Sequence, residues 1–167
     1  MTAQSHASST KDTLQRLADW MAHPHTSTAD LAAIRRMNPS DPSGAAVVLY
    51  RLLGSLGING PQARPWALIV HCLALARGKH RTGGPGVGKA LVEIGYGEAR
   101  LQMLLRADFE TLADVLPRLA RRLHSRNQLM DWWPLAHLVL GSATDPERAQ
   151  RAREQIARDY VIASRSD

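Results

Sequence analysis

The chain has 167 residues, 44% of them apolar and 5% aromatic, with a formal net charge of +6. That length and apolar content suit a folded domain with a real core and exclude a disordered polymer over most of the chain. The single cysteine, Cys72, excludes an intramolecular disulfide and a zinc ribbon.

Residues 1–10 are small and polar and are expected to form a disordered tail, followed by a helical domain over 11–163 and a short tail over 164–167. The first helix carries Leu14, Leu17, Ala18 and Met21 on one face, with Trp20 beside it. His23-Pro24-His25 ends it, because proline disfavours helix at the residue before it. Ser27 or Thr28 can cap the next helix, which holds Leu31, Ile34, Arg35 and Arg36. Asp41-Pro42 pairs a cap with proline at the first helical position and opens a helix through Val47 to Leu53, closed by Gly54 or Gly57.

The most apolar helix is expected from about Pro65 to Arg77, stopped by Gly78. Its apolar run, Trp66 to Ala76, is too short to span a bilayer and is interrupted by His71. The amino terminus has no apolar signal core, so a cytoplasmic protein is expected. Lys79 to Val87 forms a basic, glycine-rich loop, and a short helix from Gly88 to Ile94 ends at Gly95 or Gly97.

The stretch from Arg100 to Arg126 carries two apolar faces separated by a break at Ala107-Asp108. Leu101, Leu104 and Leu105 mark the first, and Leu116, Leu119, Ala120 and Leu123 the second. Asp108 can cap the later helix, and Pro117 is expected to begin a new helix instead of sitting inside one. Arg118, Arg121 and Arg122 are expected to project opposite the leucines as one cationic stripe. Asp131 can cap a helix containing Trp132, Trp133 and Leu135 to Leu140, and Thr144-Asp145-Pro146 starts a charged helix running to about Ala163. No convincing period-2 strand occurs. The expected fold is all-α, with about nine helices in a single compact bundle or in two small helical lobes.

Charge is unevenly placed. From Leu31 to Met130 there are fourteen Lys/Arg and six Asp/Glu, and no acid lies between Pro42 and Val92. A basic middle of this kind points to a polyanionic partner. Trp66, Trp132 and Trp133 sit in apolar segments, which favours core packing over base stacking. Arginines without aromatics point to contacts with a nucleic-acid backbone, which carry no sequence information.

The run Gly83-Gly84-Pro85-Gly86-Val87-Gly88-Lys89-Ala90 satisfies the G-x-x-x-x-G-K part of a phosphate-binding loop. Ala90 stands where a hydroxyl should hold magnesium, no strand precedes the run, and no later strand ends in aspartate. ATP hydrolysis is therefore not expected, and a mobile basic loop touching a nucleic-acid backbone accounts better for the same residues. The seven histidines include no HExxH and no ligand-spaced pair with carboxylates, so no metal site is expected and His71 reads as a satisfied core residue. Cys72 reads as a small buried thiol. No nucleophile elbow or paired-acid site is present, so neither a catalytic residue nor a cofactor is expected.

Several short runs then recur in a telling order: Ile34-Arg35-Arg36, Leu49-Tyr50-Arg51-Leu52, Ala76-Arg77-Gly78-Lys79-His80 and Gly88-Lys89-Ala90-Leu91. They continue with Leu104-Leu105-Arg106-Ala107-Asp108, Leu119-Ala120-Arg121-Arg122-Leu123, Asp131-Trp132 and Ala157-Arg158-Asp159-Tyr160. In that order, over about residues 12–163, the chain resembles the CasB family, the small subunits of the type I-E CRISPR surveillance complex Cascade. The resemblance implies an all-helical, non-enzymatic subunit in antiviral defence, present as a dimer within the complex. Its implied partners are guide RNA, target DNA, a second copy of itself and the other Cascade subunits, and it would help hold the displaced strand.

Carried over to this chain, the family's basic positions fall on Arg35, Arg36, Arg51, Lys79, Lys89, Arg106, Arg118, Arg121 and Arg122. Ile156 departs from the pattern, standing where the family resemblance leads one to expect tryptophan. The loop from His80 to Lys89 is a second point at which family members vary. The competing expectation is a free-standing helical DNA-binding regulator, which would need a recognition helix that this sequence does not display.

Overall fold

The computed structural model describes residues 2–166, with side chains described from Thr10 onward. Nine α-helices occur among the described residues, and no strand does. Helix α1 spans Thr2–Ala22, α2 Thr28–Arg36, α3 Ala46–Ser55, α4 Ala63–Leu75 and α5 Val87–Glu93. Helix α6 covers Glu98–Arg106, α7 Phe109–Ser125, α8 Trp133–Thr144 and α9 Pro146–Ser164. The tail expected over 1–10 falls on the start of α1, where side chains are outside the described set.

The local signals act where the chemistry places them. Ser27 accepts a hydrogen bond from the Asp30 amide at 3.2 Å, and Asp108 accepts one from Thr111 at 2.8 Å. Asp145 likewise caps α9 through the Arg148 amide at 3.2 Å. Each cap satisfies an amide that the first helical turn would leave without a partner. Asp41 opens a 3-10 turn over Pro42–Ala45, and α3 follows from Ala46.

Helix α4 is the centre. Every residue from Pro65 to Leu75 is buried, so the helix has no solvent face. Helices α1, α2, α3, α7 and α8 all pack against it. Its one polar ring, His71, is satisfied by the Ile34 carbonyl at 2.8 Å. Cys72 is buried beside it, and burial pushes its thiol pKa far up. One contiguous cluster of buried residues runs from Leu14 to Ile156, which makes a single domain and not two lobes.

Helix α7 corrects one expectation. Pro117 does not begin a new helix; it lies inside an unbroken one. Proline there lacks an amide and crowds the carbonyl four residues back, which normally kinks or breaks a helix. Here Leu112, Ala113, Leu116, Pro117, Leu119, Ala120 and Leu123 are all buried, and α7 packs on α4. Tertiary burial along the whole face overrides the local penalty.

Helix α9 closes the bundle through two close approaches. A Cβ added at Gly88 of α5 would stand 2.2 Å from the Tyr160 nitrogen, and one at Gly141 of α8 would stand 2.4 Å from the Ala149 nitrogen. Only hydrogen fits at either place. Ile156, the departure noted in the sequence, is fully buried in this interface region and completes the core without an indole. Gly88→Ala should therefore cost about 3 kcal/mol through overpacking. For a chain of this size that lowers Tm by about 6–12 °C, measurable by thermal unfolding.

Candidate nucleic-acid interface

Helix α2 ends in Arg35 and Arg36, where positive charge is favoured by the helix dipole. Partial burial, then the nearby Arg77 and Arg36 charges, hold the Arg35 guanidinium pKa below its ordinary value. Arg121 of α7 is exposed and also close to α4, since its charge acts on His71 and Cys72. The His71 ring in turn holds the carbonyl of Ile34, next to Arg35. Arg35, Arg36 and Arg77 thus lie within reach of one another beside α4, and Arg121 lies near enough to α4 for its charge to act on His71 and Cys72. Among the described residues, no carboxylate comes within 4.0 Å of any of them.

Arg77 was not among the positions that the sequence singles out, yet its backbone marks it. The ends of α3, α4, α5 and α7 share one geometry, in which a left-handed residue lets the next amide reach back to a helical carbonyl. Gly57, Gly95 and Asn127 occupy that position at three ends, all residue types that tolerate it. At the end of α4 it is Arg77, with φ +58. A non-glycine residue held in this region carries local strain, the kind of feature that clusters at functional sites. The sequence signal was the Gly78 stop, which drew attention one residue too far.

The expected single stripe on α7 divides. Residues 121 and 122 are about 100° apart on a helix, so they serve different neighbours. Arg122 donates to the Ile94 and Gly95 carbonyls at 3.0 and 3.1 Å, capping the C-terminal end of α5. Its guanidinium also lies over the Tyr96 ring at 5.9 Å. Arg118 is exposed but paired with Asp114 at 3.2 Å. With Arg100, another residue that the sequence reading passed over, Arg118 and Arg122 line a groove of about 360 Å³ floored by Tyr96, Val115 and Leu119.

The remaining positions are dispersed. Arg51 is exposed on α3, and Arg106 is exposed at the end of α6. Lys79 donates to the Asn127 side chain. Lys89 faces Glu93 at 4.0 Å, one turn along α5.

That Lys89 belongs to the phosphate-loop lookalike, and the loop has other work. The Gly83 amide donates to Asp131 at 3.0 Å, and the Gly84 amide to the Arg81 carbonyl at 2.9 Å. Asp131 returns an amide to the Pro85 carbonyl at 2.8 Å and also accepts from the Trp133 amide at 3.0 Å. The Gly83 and Gly84 amides are therefore engaged within the loop and with Asp131 and are not offered to an anion. The His80 to Lys89 segment is tied to the start of α8 instead of hanging free, and the glycine of its G-K pair is the packing glycine of α5.

The sequence matches the family of CRISPR-associated protein Cse2 over residues 30–160. The chain belongs to the Cse2 family. No curated protein sequence matches it. Its fold is similar to a chain of the crystal structure of E. coli Cascade bound to a PAM-containing double-stranded DNA target, with a TM-score of 0.67 and 25% identity. That likeness covers 92% of this chain and 95% of the other. A Cse2-family CRISPR-associated protein from Thermus thermophilus is similar at a TM-score of 0.66 and 25% identity, over 90% of this chain and 98% of that one. This Cse2-family chain therefore has the all-α fold that the sequence resemblance implied. No helix among the described residues is long and apolar enough to cross a membrane.

Two outcomes follow for this Cse2-family chain. Burial lowers the pKa of His71, helped by the Arg121 charge and opposed by the Ile34 carbonyl. Burial likewise lowers His80, against the pull of Asp131 and Asp19. His137 is brought down to about 3 by burial, then by Arg148, Arg151 and Lys11. Below the ordinary value of about 6.5, the unfolded chain binds protons that the folded chain refuses. Histidine-linked stability is thus complete above about pH 6.5 and is lost as pH falls toward the folded values. Thermal unfolding between pH 7.5 and 5 should show Tm declining below about pH 6.5; a flat profile would contradict the buried neutral rings. Separately, magnesium-ATP should show no saturable binding in calorimetry, and Lys89→Ala should leave that result unchanged. A Lys89-dependent isotherm would mean that the loop opens into a phosphate cradle.

Proposed function

We propose that this chain is the small subunit of a Cascade-type CRISPR complex and that it binds nucleic-acid backbone without catalysis. In this reading it steadies the pairing of guide RNA with target DNA and holds the displaced strand. Its partners are those nucleic acids, the other subunits of the complex and a second copy of itself.

The observation that carries the reading is the set of arginines around α4. Arg35, Arg36, Arg77 and Arg121 come from three separate parts of the chain and have no carboxylate partner among the described residues. Like charges gathered without counter-charges cost stability unless an anion neutralises them. A phosphate backbone supplies that charge along a line, whereas a small anion would need a pocket. Family membership and the likeness to a Cascade chain in a DNA-bound complex add support. Exchange of a DNA duplex for a guide heteroduplex is close to balanced, so a few phosphate contacts are enough to tip it.

The test is a salt titration of single-stranded DNA binding by fluorescence anisotropy. Arg35→Ala, Arg36→Ala and Arg121→Ala combined should weaken binding regardless of base sequence. The triple variant should also lower the log–log salt slope by about 0.7 per lost contact, roughly 2 in all. Arg118→Ala, already paired with Asp114, should change the slope far less. Arg36 and Arg121 are exposed, Arg35 is half-buried, and among the described residues no hydrogen bond or ion pair of the fold uses these side chains, so circular dichroism should be unaltered. An unchanged slope in the triple variant would leave the cluster as a solvated face and sink the reading.

A further inference from the structure

Helix α3 turns Leu49, Leu52 and Leu53 into the core. Its outer face is unusual for a surface helix, because Val47 is 71% exposed and Tyr50 55% exposed. Val47, Tyr50, Arg51 and Gly54 follow i, i+3, i+4, i+7, so they share one stripe. Of the tyrosine, tryptophan and phenylalanine rings among the described residues, Tyr50 is the most exposed, and the exposed imidazoles of His23, His25 and His124 lie on other elements. The four tryptophans, Phe109, Tyr96 and Tyr160 are buried or packed against the core.

Gly54 adds an independent observation. A Cβ built on it meets nothing within 4 Å, and the same holds for Gly44 just before the helix. Glycine within a helix is disfavoured relative to alanine by its backbone entropy. Neither packing nor a left-handed backbone calls for glycine at position 54. Its effect is to leave flat, open space one turn along from the Tyr50 ring. Arg51, the next residue along, borders the same open face, exposed and without a carboxylate partner among the described residues.

We propose that Tyr50 and Arg51, with Val47 beside them and Gly54 keeping the approach open, form a stacking platform for an unpaired nucleobase. The Tyr50 ring takes the face of the base, and Arg51 takes the adjoining phosphate. This rests on the nucleic-acid reading above and assigns a base contact where that reading has only backbone contacts. A nucleobase suits the face better than a protein does. The apolar area is one ring and one valine, too small to anchor a stable protein interface. The neighbouring charge is cationic, within a stretch that has no acid from Pro42 to Val92. Stacking needs an exposed base face, so the platform distinguishes an open strand from a duplex while tolerating any sequence.

The experiment compares three ligands with the full chain at low ionic strength: a single-stranded oligonucleotide, an abasic sugar-phosphate strand of equal length, and a duplex. The wild-type chain should bind the base-bearing strand more tightly than the abasic one. Tyr50→Ala should weaken the base-bearing strand by at least about fivefold and erase that preference, with abasic and duplex affinities unchanged. Tyr50→Phe should retain the preference. Gly54→Ala should raise Tm by about 2–4 °C yet weaken the base-bearing strand. Equal affinity of the wild-type chain for base-bearing and abasic strands would overturn the platform but leave the backbone reading intact. If no strand binds at all, both fall. Should Tyr50→Ala leave all three affinities unchanged while releasing the chain from a reconstituted complex, the face docks a protein and the platform is wrong.

Discussion

A helix with no solvent face dominates this structure. Because α4 is buried from Pro65 to Leu75, every polar group it carries must be satisfied inside the protein. The His71 ring is the demanding one, and the Ile34 carbonyl that meets it comes from the last turn of α2. That requirement brings the end of α2 against the middle of α4. Helix α7 covers another side of α4 with its apolar face. The basic residues at the end of α2 and on the outer side of α7 are carried to the surface around α4 as a consequence. The proposed strand surface is thus a by-product of how the core satisfies the imidazole of α4.

A second constraint operates at the other end of the bundle. Helix α9 packs on α5 and α8 at distances that admit only glycine, at Gly88 and Gly141. This gives the lookalike phosphate loop a mechanical origin. Gly88 serves a helix contact, and Asp131 holds the segment before it through the Gly83 amide while the Pro85 carbonyl takes the Asp131 amide. A glycine-rich run followed by lysine can therefore arise from packing and turn geometry alone.

The arginines show why residue type is a poor guide to role. Arg121 and Arg122 are neighbours in sequence and have the same chemistry, yet one is free at the surface and the other caps α5 through two carbonyls. Arg118 is exposed but neutralised by Asp114. Arg77, in a left-handed conformation at a helix end, joins the unpaired set from a position that helix-stop rules assign to the glycine after it. What separates these cases is the partner each guanidinium finds, and partners come from elsewhere in the chain.

Local chemistry was legible in the sequence. The apolar periodicities located the helices, and Ser27, Asp108 and Asp145 cap the helices that their positions announced. An all-α family likeness could be read from short runs because caps, turns and core leucines are determined within a few residues of one another. Other features depended on contacts between distant segments. Pro117 stays within a continuous helix because α4 buries its whole face, and no window of sequence contains α4 and α7 together. Tyr50 stands outside because α3 spends its leucines on the core, while the other aromatic residues are drawn in. The sequence by itself determined which segments would be helical and which of their faces would be apolar. Tertiary packing alone decided which charges would be neutralised and which left open, because that depends on what each side chain meets across the bundle.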